Sequence, residues 1–373
     1  MPGRERTEGA CVSCQTLRLM LSRLKLDPFL PALVGTVLLA LAWPQLGVTG
    51  GPLRADRAAT YGIAIIFFLY GASLETSRLV ESAARWKLHL VVQLATFVLF
   101  PLVVVVAMPL IGKVLPPEVA VGFFFLAALP STVSSSVAMT SLARGNVPVA
   151  IFNASISSLI GVFLTPLLMA SYLHATGGHM ALGDVIVKLI TVVMLPLGFG
   201  QLVRPLIAKL IARHKAVVKV ADRGVILAIV YNAFCDSIAG GVWSGQSPSL
   251  VVEMAAGAVW LFAVVFFVVQ GICRIARFPE ADTVAVVFCA SKKSLATGLP
   301  MATVMFGANP QLSLIIMPIM LYHFLQLVIV GFIAGRYGVR ADALEAIEAA
   351  EASEPSLLPE EAPAPPPKVR RRA

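Results

Sequence analysis

Charge is scarce in this sequence. Of its 373 residues, 13% are Asp, Glu, Lys or Arg, whereas an ordinary soluble domain has about 25%. The charged residues crowd into the two ends of the chain and a few short loops, so the stretches between them are almost purely apolar. The composition therefore argues against a water-soluble enzyme.

Motifs for enzyme chemistry or metal binding are also lacking. The five cysteines do not form a disulfide framework, and Cys11 and Cys14 have no second pair to complete a tetrahedral metal site. The sequence contains no nucleophile beside a base, no phosphate-binding loop and no nucleotide-binding fingerprint. We therefore expect no enzyme activity, no metal site and no cofactor.

The net charge of +9 does not indicate a nucleic-acid partner, because the basic residues neither share one helix nor alternate with aromatic residues. Instead, they are concentrated in the loops on one side of the predicted membrane. If the N-terminus is cytoplasmic, about seventeen Lys and Arg residues lie on that side, against Arg54, Arg57 and Lys113 on the other. This asymmetry predicts a multi-pass plasma-membrane protein with both termini in the cytoplasm. The Ala- and Arg-rich composition favours a bacterial inner membrane.

Long apolar segments fill most of the chain. A bilayer core about 30 Å thick is crossed by about 20 apolar residues in a helix, and ten such windows fit between residues 28 and 337. The sequence therefore predicts an all-α polytopic membrane protein surrounded by a lipid bilayer, with helices near residues 28–46, 58–76, 88–110, 118–142, 148–172, 184–208, 222–241, 249–275, 281–305 and 311–336.

Both ends of the chain are predicted to be tails. No small-residue cleavage site follows the first apolar run, so residues 1–27 are expected to be a retained cytoplasmic tail. The ten-helix domain is expected at 28–340. Residues 341–373 begin as an Ala/Glu helix and become Pro-rich and basic, which predicts a disordered cytoplasmic end.

Ten spans divide into two sets of five, and an odd number of crossings in each half makes any internal repeat an inverted one. A shift of about 163 residues brings the fourth span onto the ninth and the fifth onto the tenth, and the predicted repeats are repeat one at about 28–172 and repeat two at about 184–336. The fourth and ninth spans share an anomaly, a polar run near a Pro and a Gly. Paired interruptions of this kind indicate a transporter binding site near the bilayer midplane. The two runs are LPSTVSSSVAMTS at 129–141 and CASKKSLATGLP at 289–300.

Hydroxyl groups dominate the first polar run and a lysine pair stands out in the second. Each cation at that depth costs about 2.5–3.5 kcal/mol. We expect at least one of Lys292 and Lys293 to lie in a water-accessible cavity where unwound backbone carbonyls and polar side chains solvate it, facing an anionic substrate or standing where a transporter would hold a bound cation; the alternative is that both snorkel to the interface. Hydroxyl groups also pack at ordinary helix contacts in membranes. The predicted substrate- or ion-binding residues are Ser131, Thr132, Ser134, Ser135, Ser136, Thr140, Asn153, Ser291, Lys292, Lys293, Ser294 and Thr297.

Four further polar residues lie within apolar spans. Asp236 is the only carboxylate placed to counter a lysine. For each of the four, a hydrogen bond between helices is as good an interpretation as a ligand role. These secondary candidates are Gln93, Asn232, Asp236 and His323.

Several motifs resemble a known family. The blocks S-L-A-R-G-N at 141–146 and L-T-P at 164–166 are similar to the fourth and fifth spans of the bile acid:sodium symporter family. Over about residues 20–340, the resemblance implies ten helices in two inverted five-helix repeats, a panel domain and a core domain, and broken helices four and nine that cross. Motifs similar to the branch of the vertebrate seventh member and its bacterial relatives are T-G-G-P-L at 49–53, H-L-V-V-Q at 89–93, F-C-D at 234–236, A-D-T-V-A at 281–285 and K-S-L at 293–295.

The sodium ligands of that family are mostly missing. Aligned on L-A-R-G-N, the family's Ser falls on Ser136 and its Asn on Val137, while the span-five hydroxyls fall on Ala150 and Ala154. The Gln-Asn pair of span nine aligns with Ser291 and Lys292, and the acidic residue with the apolar stretch 286–288. Sodium prefers hard oxygen ligands, so the hypothesis is that a lysine replaces the cation and that transport is sodium-independent or proton-linked. A shifted register that recruits Asn153 and Ser155 is the alternative.

Two functions remain open from the sequence. The first is a secondary transporter that moves a small organic solute, anionic or amphipathic, by alternating access, with sodium or a proton as the possible coupling ion. The second is a regulatory or calcium-homeostasis membrane protein that retains the carrier fold. A lysine pair at the crossing repels a divalent cation, which favours the first.

Overall fold

The computed structural model describes residues 28–73, 85–176, 187–188, 190–307 and 309–353, and all regular elements in these ranges are helices. The N-terminal tail predicted at 1–27 and the Pro-rich segment at 354–373 lie outside the described residues. In chain order the helices are α1 Phe29–Ala42, α2 Pro44–Gly47, α3 Ala55–Ser73, α4 Trp86–Val114, α5 Pro117–Ala128, α6 Val133–Leu142, α7 Val147–Ala175, α8 Ile190–Arg213, α9 Lys215–Ala239, α10 Ser249–Ile275, α11 Glu280–Ala290, α12 Leu295–Phe306 and α13 Leu312–Ser353.

The helices have the length and composition of membrane spans. Within the described part of the chain, α4, α7, α8, α10 and α13 are each long and apolar enough to cross a bilayer, and α5 with α6 forms a sixth candidate bent by 62°. Apolar side chains face outward, for example Leu202 at 76% and Leu206 at 83% exposed, as expected for helices in contact with lipid. The predicted helical membrane protein is confirmed.

The remaining predicted spans correspond to helices that are shorter or less apolar. These are α1 with α2, α3, α9, and α11 with α12. The count of ten spans in two inverted repeats therefore stays a prediction. The last helix, α13, continues through the Ala/Glu segment as far as Ser353.

The helices pack as two groups. Helices α1, α3, α8 and α9 pack on one another, and we call them the panel helices; α4 to α7 and α10 to α13 form the second group, the core helices. Helix α9 also contacts α12 and α13. The two groups meet along this side, and the boundary between them contains a large cavity.

Two glycines bring the panel helices α3 and α8 into backbone contact. A Cβ atom at Gly71 would collide with the carbonyl group of Leu197, and one at Gly200 would collide with the carbonyl oxygen of Phe68. Small residues at such positions let membrane helices approach closely, and van der Waals packing then stabilises the pair. Gly198 lies on the same helix but a Cβ atom there would meet no neighbour.

We expect Gly200→Ala to lower the melting temperature of the detergent-purified protein, because the methyl group forces α3 and α8 apart at a cost of about 1–3 kcal/mol. Gly198→Ala is the matched control. It should leave the melting temperature unchanged or raise it slightly, since Ala has the higher helix propensity. Equal melting temperatures for the two variants would show that the α3–α8 contact does not contribute to stability.

Candidate functional site at the crossing of two broken helices

The two predicted interruptions are present and contact each other. Helix α5 ends at Ala128 before Pro130, and α6 begins at Val133; helix α11 ends at Ala290, and α12 begins at Leu295. The backbone N–H of Ser294 donates to the carbonyl oxygen of Pro130 at 2.9 Å. The Ser131 hydroxyl donates to the carbonyl oxygen of Cys289 at 2.6 Å. Each break thus satisfies backbone groups of the other.

The end of α5 leaves carbonyl groups that require donors. In a continuous helix Ala127 would receive the N–H of Ser131, but this N–H donates to the Ser157 hydroxyl of α7 at 3.0 Å instead. The carbonyl oxygen of Ala128 accepts from the Thr165 hydroxyl at 2.7 Å. Because buried carbonyl groups without partners destabilise a fold, the carbonyls of Ala127 and Leu129 need another source of hydrogen bonds.

Lys293 supplies these bonds. Its Nζ donates to the carbonyl oxygens of Ala127 and Leu129, each at 2.7 Å, and to that of Thr96 in α4 at 2.8 Å. The same nitrogen lies 4.1 Å from the centroid of the Phe100 ring, within the range of a cation–π interaction. An ammonium group has three donors and no acceptor. Three acceptors therefore match a protonated lysine, and they form what we call the carbonyl cage.

The sequence around Thr96 explains why its carbonyl is available. Residues Ala95–Leu99 form a π-helical turn, and the N–H of Phe100 bonds to Ala95 rather than to Thr96. The next residue is Pro101, which has no N–H. The carbonyl of Thr96 is thus deprived of both its α-helical and its π-helical donor, and it accepts from Lys293 instead.

Helix α13 fixes the backbone of the second break, between α11 and α12, by hydrogen bonds. The side chain of Gln326 accepts from the backbone N–H of Lys293 at 2.8 Å and donates to its carbonyl oxygen at 2.9 Å. One turn earlier, the Tyr322 hydroxyl donates to the carbonyl oxygen of Ser291 at 2.7 Å. Neither Tyr322 nor Gln326 is among the site residues predicted from the sequence. Their spacing of four residues places them on one face of an apolar helix, and this was the available signal.

Lys292 lies in a different environment. It is fully buried, and its Nζ donates to the carbonyl oxygen of Ser135 in the first turn of α6 at 2.8 Å. On the same helix, the hydroxyl of Ser136 lies beside the Cys289 thiol, and that of Thr140 is buried without a hydrogen-bond partner among the described residues. Both lysines are fully buried inside the protein and neither lines the cavity, so the prediction of a water-accessible lysine is wrong and the snorkelling alternative is excluded as well.

The remaining predicted site residues divide between the crossing and other contacts. Ser291 bonds to its own helix, and Ser294 caps α12 by accepting from the N–H of Thr297. The side chain of Asn153 joins α7 to His89 of α4 at 3.2 Å, and Gln93 donates to the carbonyl oxygen of Asn153. For Asn153 and Gln93 the structure thus shows hydrogen bonds between helices.

Asp236 is not brought to the lysines. Its carboxylate accepts from the backbone N–H and the hydroxyl of Thr49, each at 2.7 Å, and Asn232 donates to the carbonyl oxygen of Gly47 at 3.0 Å. Both residues lie on α9 and fix the loop after α2. These side chains stabilise the panel helices, because the backbone N–H of Thr49 and the carbonyl group of Gly47 need partners that the short helix α2 does not provide.

The N-terminus of α11 is fixed by a carboxylate that the sequence analysis missed. Asp282 accepts from Arg85, which precedes α4, and from the side chain of Asn146, which caps α7, each at 2.7 Å. Asn146 also donates its backbone N–H to the carbonyl oxygen of Ala281 at 2.9 Å. Three core helices are therefore joined at one end, and the motif blocks L-A-R-G-N and A-D-T-V-A are joined there too.

A cavity of about 840 Å³ separates the crossing from the panel helices. The first turns of α6 and α12 face it with Thr132, Ser134, Ser135, Ser294 and Thr297. Helix N-termini carry partial positive charge and free N–H groups, so this wall favours an anion. His323 of α13 also lines the cavity.

The opposite wall is basic. Panel residues Arg204, Lys215, Lys219 and Arg223 line the cavity, and Asp222 is the carboxylate among the described lining residues. The Tyr70 hydroxyl donates to Asp222 at 2.8 Å. Apolar side chains lie between the two walls. The cavity thus combines positive charge with a largely apolar surface, which suits a solute with an anionic group and an apolar body.

We expect Lys293→Met to destabilise the purified protein more than Lys292→Met. Met fills a similar volume but has no donor, so the first variant leaves three buried carbonyls without partners and the second leaves one, at about 1–3 kcal/mol for each group. Melting temperatures in one detergent would test this, with the exposed Lys113→Met as control. A Lys293→Met variant as stable as Lys292→Met would contradict the role of the carbonyl cage.

Comparison with known proteins supports the resemblance found in the motifs. The family description "SBF-like CPA transporter family" matches residues 27–338. An uncharacterized protein of Pseudomonas aeruginosa is 39% identical over 316 residues, which cover 85% of this chain and 94% of that protein. The protein named "Putative symporter YfeH" of Escherichia coli K12 is 35% identical, covering 86% of this chain and 96% of its own.

A vertebrate relative matches over the same region. Sodium/bile acid cotransporter 7 of Rattus norvegicus is 31% identical over 320 residues, covering 83% of this chain and 92% of that protein. The predicted family, with its branch of vertebrate and bacterial relatives, is confirmed, and so is the prediction of a transporter rather than an enzyme. The chain belongs to the SBF-like CPA transporter family.

Proposed function

We propose that the protein is a secondary transporter that moves a small organic anion with an apolar body, by alternating access of the core helices against the panel helices. The observation that carries the proposal is the carbonyl cage occupied by Lys293, which lies beside a basic cavity at the boundary between the two groups. The chain supplies its own cation at the crossing and leaves the adjacent cavity for the solute.

The charge of the cavity supports an anionic substrate. Four panel cations face the paired N-termini of α6 and α12, and the one carboxylate among the described lining residues, Asp222, is engaged by Tyr70. Apolar residues such as Phe67, Val162 and Leu295 line the space between. A solute that places an anionic group near Thr132 and Ser294 and an apolar part against these side chains fits both features.

Lys293 supports transport that does not require sodium. The carbonyl cage is the kind of site that a small cation occupies in a transporter, where unwound backbone carbonyls are the ligands. Here an ammonium group uses all three carbonyls, and the residues aligned with the family's sodium ligands are mostly apolar or basic. Lys292 donates to the carbonyl oxygen of Ser135 next to it. The site is therefore filled without a coupling metal ion.

The proposed arrangement includes ten spans in two inverted repeats and both termini in the cytoplasm of a bacterial inner membrane. The two helix breaks support the pairing of the fourth and ninth spans. The break between α5 and α6 contains Pro130, and the break between α11 and α12 is the polar turn at 291–294. Arg204, Lys215, Lys219 and Arg223 lie on the side that the charge asymmetry assigns to the cytoplasm. The described state is then open towards the cytoplasm.

The calcium-homeostasis alternative receives no support from the cavity. Ca²⁺ prefers six to eight oxygen ligands, with carboxylates among them. The lysines of the crossing and the four panel cations would instead repel it. We therefore retain the transporter as the proposed function.

The test is uptake and counterflow of labelled taurocholate, as an amphipathic organic anion, in proteoliposomes. We expect saturable counterflow at equal rates in sodium and in potassium, because Lys293 already occupies the cage. Lys293→Ala and Lys293→Arg should both reduce the rate strongly, while the exposed Lys113→Ala should not change it. The reconstituted fraction of each variant is checked by size-exclusion chromatography.

Accumulation that depends on a sodium gradient would contradict the sodium-independent mechanism. If taurocholate shows no counterflow, smaller carboxylates with an apolar body are measured under the same conditions. Absence of counterflow for all of these anions, together with flux of an organic cation, would overturn the proposed substrate class.

A further inference from the structure

His323 connects the cavity to the crossing. It lines the cavity on α13 and is 9% exposed, and its Nδ1 lies 2.9 Å from Nε2 of Gln326. Gln326, which is fully buried, bonds in turn to both backbone groups of Lys293. A path of direct hydrogen bonds therefore leads from the cavity wall to the backbone of the residue that fills the carbonyl cage.

The backbone of Lys293 determines the orientation of the Gln326 amide. A backbone N–H can only donate, so the oxygen of the amide faces it, and a carbonyl can only accept, so the NH₂ group faces that. One hydrogen of the NH₂ group is used by the Lys293 carbonyl. The second points at Nδ1 of His323, which must then accept.

This orientation fixes the protonation state of His323 in the described structure. A ring nitrogen that accepts a hydrogen bond carries no proton, so the ring is neutral with its proton on Nε2. A second proton on Nδ1 would place N–H against N–H. The contact would then break, either because the ring swings into the cavity or because the Gln326 amide turns and releases the backbone of Lys293.

We propose that His323 is the proton-binding site that couples this transporter to a proton gradient. The neutral ring holds Gln326 and keeps the crossing in place. A proton taken from water in the cavity binds to Nδ1, the imidazolium interacts with the anionic solute, and the broken contact frees the crossing to move. The proton leaves Nδ1 on the other side of the membrane together with the solute. This inference rests on the proposed function.

Other charged and titratable groups surround the cavity. From the panel these are Arg204, Lys215, Lys219, Arg223, Asp222 and Tyr70, and behind the wall lie Lys292 and Lys293. The first turns of α6 and α12 contribute hydroxyl groups to the cavity wall. When the cavity is empty, its ammonium groups favour the neutral form of His323. A bound anion favours the protonated form instead. Solute and proton are thus expected to bind together.

The test compares His323→Gln with the wild type in proteoliposomes, with the exposed His174→Gln as control. Gln at position 323 can accept from Gln326 but does not titrate. We expect an inward proton gradient to drive accumulation of labelled taurocholate in the wild type and in the control. His323→Gln should lose this accumulation and most of the counterflow, because its contact with Gln326 no longer breaks, and the residual counterflow rate should not change over the range in which histidines ordinarily titrate, about pH 5–8.

A His323→Gln variant that still accumulates solute in response to a proton gradient would overturn the inference and leave the proposed function intact. A pH-dependent counterflow rate in this variant, equal to that of the wild type, would do the same and assign the titration to another group. Absence of counterflow in the wild type for taurocholate and for the smaller carboxylates would instead contradict the proposed function. A second variant, His323→Leu, removes the acceptor of the Gln326 hydrogen bond altogether. Its counterflow rate should also be independent of pH.

Discussion

The interaction on which the crossing depends is the ammonium group of Lys293 with three carbonyl oxygens. Two broken helices leave buried carbonyl and N–H groups without their helical partners, and each such group costs several kcal/mol if it stays unsatisfied in an apolar environment. One protonated side chain removes this cost at Thr96, Ala127 and Leu129 together. The cage in turn compensates a buried charge, so neither the breaks nor the lysine is stable without the other.

The functional geometry follows from these breaks. Because α6 and α12 begin inside the protein, their N-termini face the cavity instead of the membrane surface, and an anion can approach the partial positive charge of both helices. Helix α13 controls the position of the second break through Gln326 and Tyr322. The same helix presents His323 to the cavity, so the side chain that contacts solute space and the side chain that holds the crossing are neighbours.

The sequence predicted the elements of this site better than its contacts. The polar runs around Pro130 and Lys293 located both breaks, since an apolar helix has few other reasons to contain them. The hydrogen-bond partners of the lysines could not be predicted, because any residue type can supply a backbone carbonyl that lacks its helical donor. The carbonyl of Thr96 can be identified as such an acceptor only once the π-helical turn at Ala95–Leu99 is known. Asp236 was selected for its charge alone, and the structure places it against Thr49, which is adjacent in space and distant in sequence.

Sodium binding distinguishes a carbonyl cage occupied by the Lys293 ammonium group from one that is open to a metal ion. Equilibrium binding of radioactive sodium to the purified protein is measured for the wild type and for Lys293→Ala, in potassium-free and choline-matched buffers. If the ammonium group replaces a bound cation, the wild type shows no saturable sodium binding, and Lys293→Ala, with three carbonyls free, gains it. Saturable sodium binding to the wild type would show that the Lys293 ammonium group does not replace the cation.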